Sequence, residues 1–194
     1  LGNLNLSDNG TISMNTSQIS IEEGSIGENC QIELENSSTI TLQGDLSVEG
    51  VLSLGDSTFN LSGNTLELAG GTVSTSSDIS LEGVLSISGN SEISISQGHT
   101  FTLDLDNQGV FYLGANILTL SGGGSFNGNS VELNNAQSKL LLNGITLNKA
   151  VTTANSSGLD VDANSTVTSL SISNITPISI ADGVTLSGGV EVSA

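Results

Sequence analysis

The chain has 194 residues, 36% of them hydrophobic but only 3% aromatic, so one domain with an aliphatic core is within reach and intrinsic disorder is not indicated. Twenty acidic residues stand against two basic ones, Lys139 and Lys149, a net charge of −18 that repels phosphate backbones and anionic membranes and argues against nucleic-acid binding. Cys30 is the single cysteine, which excludes an internal disulfide and any Cys-based metal cluster.

Taken in chain order, the apolar residues come in alternating pairs, the period-two signature of strands rather than helices. Glycine, at 24 residues, together with Asn, Asp and Ser, punctuates these runs. One series runs Ile12/Met14, Ile32/Leu34, Leu52/Leu54, Val73/Thr75 and Ile93/Ile95. A second runs Ile19/Ile21, Ile40/Leu42, Phe59/Leu61, Ile79/Leu81 and Phe101/Leu103. A third runs Ile26, Leu46/Val48, Leu66/Leu68 and Leu85/Ile87. Each series steps by about 20 residues, so three short strands fill one repeat.

The C-terminal half extends all three. Leu118/Leu120, Leu140/Leu142, Leu159/Val161 and Ile178/Ile180 continue the first; Phe126, Ile145/Leu147, Val167 and Val184/Leu186 the second; Val131/Leu133, Val151, Leu170/Ile172 and Val190/Val192 the third. A longer step, from Ile93 to Leu118, marks a longer coil or insertion near 104–117.

The arithmetic is that of an all-β, three-sided parallel solenoid of about nine coils spanning 1–194 as one domain. At about 4.8 Å per coil it makes a rod roughly 45 Å long. The general preference for right-handed crossovers makes a right-handed parallel β-helix the expected form, and an antiparallel sandwich the rival. In either case one parity of each strand lines the core and the other faces water.

The search for chemistry yields little. His99, in the turn "SQGHT", has no nucleophile fixed beside it and no G-x-S-x-G motif exists, so it reads as a solvated turn residue. Asp104/Asp106 and Asp160/Asp162 alternate along strands and share a face, making them weak Ca²⁺ candidates, but neither run has the glycine and glutamate positions of an EF-hand. A glycan-cleaving site would pair such acids with a basic residue, and Lys139 and Lys149 stand away from both pairs in sequence. Cys30 alternates with Ile32 and Leu34 and reads as core filler. Phe111 and Tyr112 lie in the longer segment; one should point in and the other out, where it would be available to a glycan or a protein. No cofactor is expected.

Neither end reads as a cap. "LGNLNLS" looks like another strand and "VTLSGGVEVSA" like two more, without an amphipathic helix at either end. The expectation is that coils continue across both ends, into other copies of the chain or adjoining solenoid segments, with Leu1, Leu4, Leu6, Val190 and Val192 at the interface.

Ser/Thr/Asn/Gly-rich coils with aliphatic pairs, few cysteines and an acidic balance resemble the β-helical passenger and stalk regions of bacterial surface adhesins, autotransporters and polymorphic outer-membrane proteins. "FNGN" (126–129) matches the FxxN tetrapeptide of the last family, and "GGTV" (70–73) nearly matches its GGA[ILV]. The resemblance implies a non-enzymatic extracellular or cell-surface protein, a fibre subunit or adhesin stalk without membrane insertion by this segment. A glycan- or host-protein-binding adhesin module is the alternative, and a β-helix carbohydrate-active enzyme or tailspike a third.

Overall fold

The computed structural model describes residues 2–104, 110–127, 130–133, 135–153, 157–173 and 177–193. Those residues form strands and turns only, and every ladder between strands is parallel. Parallel neighbours must be joined by a crossover. Here the crossover is the rest of a coil, and the strands stack as a three-walled solenoid with roughly 20 residues per turn.

The first wall runs the length of the molecule. Its nine strands begin at Thr11–Asn15, Gln31–Glu35, Val51–Ser53, Thr72–Thr75 and Ser91–Ile95, and continue through Ile117–Ser121, Lys139–Asn143 and Gly158–Ala163 to Ile178–Ile180. Ile12, Ile32, Leu52, Val73 and Ile93 stand in register, as their spacing predicts. The next step differs from the sequence expectation. Ile93 pairs with Leu120, and Leu118 pairs with Ser91, so the column slips by two residues. Parity is kept, because a two-residue slip returns each side chain to the same face. Ser91 therefore occupies an inward position at 5% exposure, its hydroxyl donating to the Gly89 carbonyl at 2.9 Å. Leu118 and Leu120 are both buried above it and beside it.

The other two walls change character along the rod. In the N-terminal half they are separate sheets: Gln18–Ile21, Thr39–Leu42 and Thr58–Asn60 on the second, Leu4–Leu6, Gly24–Ile26, Leu46–Val48, Thr65–Ala69 and Val84–Gly89 on the third. In the C-terminal half they fuse. Thr146–Thr153, Ser165–Ser173 and Leu186–Ser193 each run through both walls as one strand. Register irregularities at Leu147/Ala150 and Val167/Ser169 turn the corner without ending the ladder, which is what a bulge does.

The interior is one continuous aliphatic column from Met14 to Leu170. No single coil can bury its own pair, so burial is a property of the stack. Each enclosed Leu, Ile or Val contributes about 1.5–3 kcal/mol before conformational entropy is subtracted. Phe101 and Phe126, one coil apart, stack with ring centroids 5.7 Å apart and planes 9° from parallel. Cys30 is buried in this core, as its alternation with Ile32 and Leu34 suggests, and its Sγ accepts the Gly10 N–H at 3.4 Å.

Some corner residues are polar and buried. Ser38 is fully buried; its Oγ lies 2.7 Å from the Glu35 carbonyl and accepts the Ser17 N–H at 3.2 Å, while its own N–H donates to Ser57 Oγ at 3.1 Å. Three coils are thereby tied at one edge by serines, the residue small enough to turn inward and satisfy backbone groups that a corner leaves unpaired. Gly55, at φ +51°, sits at the same edge where a Cβ would lie 2.3 Å from the Leu34 carbonyl oxygen, so only glycine fits.

Candidate functional site

At the two ends of the described stack the strands are laddered on one side only. At the N-terminal end, Leu4–Leu6 is laddered on one side only, to Gly24–Ile26. Leu4 and Leu6 are half-buried and pack against the core together with Ile12 and Ile19. At the other end Ile178–Ile180 pairs only with Gly158–Ala163. Ile178 is 36% and Ile180 47% exposed, although their register partners Leu159 and Val161 are at 0%. These positions continue the inward column of the first wall. Val190 and Val192 continue the third-wall column in register with Leu170 and Ile172, and Leu1 lies outside the described residues.

The outer acids are used in the structure more than their scatter suggests. Asp45 Oδ1 accepts the Thr65 N–H at 2.7 Å, and Asp78 Oδ1 accepts the Thr100 N–H at 2.8 Å. Asn90 and Asn164 do the same for Ile117 (3.0 Å) and Thr185 (2.8 Å). In each case an Asp or Asn just before a strand caps the chain one coil later. The signal is legible in the sequence as an Asp or Asn at the strand-start corner, but only once the register is known.

Of the calcium candidates, Asp160 is ion-paired to Lys139. The two stand on adjacent strands of the first wall, where Lys139 pairs in register with Gly158. Separation by about one coil, which reads as distance along the sequence, is contact in the stack. Asp162 is exposed. Asp104 is in register with Glu82, and Asp106 lies outside the described residues. No group of three or more His, Cys, Asp or Glu side chains is placed to hold a metal ion among the described residues.

His99 faces Asp78 with 3.7 Å between Nδ1 and Oδ1, both side chains substantially exposed. That carboxylate also caps the backbone of Thr100, so the pair belongs to a corner. Phe111 and Tyr112 lie in the strand Val110–Tyr112 of the third wall, in register with Val131 and Glu132. A groove of about 390 Å³ opens at one corner, lined by Glu33, Glu35, Asn36, Ser53, Asp56 and Ser76. Two of its acids have partners: Glu33 Oε1 accepts from Gln31 Nε2 at 2.5 Å, and Asp56 Oδ1 accepts the Ser37 N–H at 3.1 Å.

No curated protein and no solved structure matches the chain. Residues 37–111, from just before the strand Thr39–Leu42 to within the strand Val110–Tyr112, match the family model described as the TamB C-terminal domain. Over that stretch of the solenoid the chain is similar to part of a bacterial outer-membrane-associated protein.

Proposed function

We propose that the chain is a non-enzymatic structural segment of a bacterial envelope or cell-surface protein, a stalk or fibre element onto whose open ends further parallel coils stack. The observation that carries this reading is the stack itself, nine parallel strands along the first wall around one continuous apolar column. A strand edge with an apolar column behind it is a template for another strand in the same register. The similarity of residues 37–111 to the TamB C-terminal domain supports the envelope setting. The non-enzymatic part rests on the corner acids, which serve the backbone of neighbouring coils.

The test is the hydrodynamic size of the isolated chain across a concentration series in 0.5 M salt, where the mutual repulsion of −18 chains is screened. End-to-end stacking between copies gives rods whose length grows in whole multiples, visible by negative stain. Ile178→Asp with Ile180→Asp should abolish that growth while leaving the circular dichroism of the solenoid unchanged. A chain that stays monomeric, but stacks when extended by the neighbouring segments of its parent protein, assigns the coils to an adjoining segment. A chain that does neither and retains a glycan on an array replaces the structural reading with a binding one.

A further inference from the structure

The second wall is laced from Gln18–Ile21 through Thr39–Leu42 to Thr58–Asn60, and again from Ile79–Glu82 to Thr100–Asp104. Between Thr58–Asn60 and Ile79–Glu82 there is no ladder, although the two strands are successive in the wall and approach within 8 Å between Cα atoms. The other two walls are intact at this level: Val51–Ser53 pairs with Thr72–Thr75, and Thr65–Ala69 with Val84–Gly89. Both corners are tied as well, Ser76 N–H to the Gly55 carbonyl at 3.2 Å and Val84 N–H to the Asn64 carbonyl at 3.3 Å. The gap is thus a slit in one wall. A cavity of about 250 Å³ opens there, lined by Thr58, Phe59, Asn60 and Ser80.

Strand geometry identifies the backbone groups affected. Thr58 N–H donates to the Ser38 carbonyl in the preceding coil at 2.9 Å. Successive residues of a parallel strand direct their N–H and C=O to opposite neighbours, so those of Phe59 face the slit, and the same alternation turns Ser80 N–H back toward it. Phe59 is only 2% exposed, which leaves its backbone little water in place of the missing ladder. On the far side the corner is closed hard: a Cβ on Gly83 would lie 2.9 Å from Leu61 Cβ and from the Asn64 carbonyl oxygen.

We infer that this slit is a soft seam built into the solenoid, a place where the stack opens more readily than at its fully laddered interfaces, with the first and third walls acting as its hinge. A solenoid's cohesion is the sum of its coil-to-coil interfaces, so an interface missing one of its three ladders opens more often than a fully laddered one; the third wall has a second such break one coil on, between Val84–Gly89 and Val110–Tyr112. The opening involves a wall remote from both ends and is independent of whether further coils stack there.

Residue-resolved amide hydrogen exchange on the intact chain tests it, because the same two coils carry their own controls. Leu52 and Ser74 occupy in the first wall the positions that Phe59 and Ser80 occupy in the second, and their strands are laddered. The Phe59 and Ser80 amides are expected to exchange at least tenfold faster than those of Leu52 and Ser74, with the excess persisting at low urea. A difference below tenfold overturns the seam, as does equally fast exchange at a fully laddered inter-coil interface away from the two ends.

Discussion

Asp45 and Thr65 stand one coil apart and are joined by a 2.7 Å hydrogen bond from the Thr65 N–H to the Asp45 carboxylate. The bond runs along the rod axis, so it ties coil to coil. Asp45→Ala should lower stability by about 0.5–1.5 kcal/mol, the usual net worth of such a bond. Asp45→Asn, which keeps the acceptor, should recover most of it. Urea midpoints at constant m-value separate the two.

Lys139 and Asp160 form an ion pair on the outer face of the first wall, with side chains 38% and 22% exposed. Pairs of this kind are worth about 0–1 kcal/mol and are screened by salt. Lys139→Met should destabilise by less than about 1 kcal/mol in dilute buffer. The difference from wild type should vanish in 0.5 M NaCl, measured by denaturant titration at both salt concentrations.

Ser38 has hydrogen-bond partners in the coils on both sides and no exposure. Ser38→Ala removes the acceptor of the Ser17 N–H and the donor to the Glu35 carbonyl together. The expected loss is about 1–3 kcal/mol, because a buried group left unpaired costs its desolvation. Ser25→Ala, at an exposed hydroxyl that donates to Asn5, should stay within about 0.5 kcal/mol. Thermal melts of the two variants side by side check the contrast.

Phe101 is fully buried and stacked on Phe126. Phe101→Ala should cost about 3–5 kcal/mol through lost transfer energy and the cavity left behind. Val84→Ala, at a residue 47% exposed, should be nearly silent. Calorimetry of both variants gives the comparison.

The inward columns were legible because burial in a solenoid repeats: Ile12, Ile32, Leu52, Val73 and Ile93 follow one another in sequence as they do in space. The reading slipped at Leu118, where the step from Ser91 lengthens to 27 residues, because an apolar pair signals parity and not which member pairs with which. Leu4 and Leu6 lie in a strand, as the strand-like run "LGNLNLS" predicts. Their counterparts Ile178 and Ile180 looked like ordinary core positions, since exposure depends on whether a coil lies above. Lys139 and Asp160 were kept apart by sequence distance until the coil length converted it into contact.

Alternation and a step of about 20 residues by themselves favoured a parallel solenoid with an aliphatic core over its rival, an antiparallel sandwich, because stacked coils bury such short apolar pairs, and the parallel ladders bear this out. Only the tertiary structure decided which acids cap a neighbouring coil, where two walls fuse, and that one ladder of the second wall is missing. Those depend on hydrogen-bond directions between coils, which are set by the stacking register and by how each corner turns.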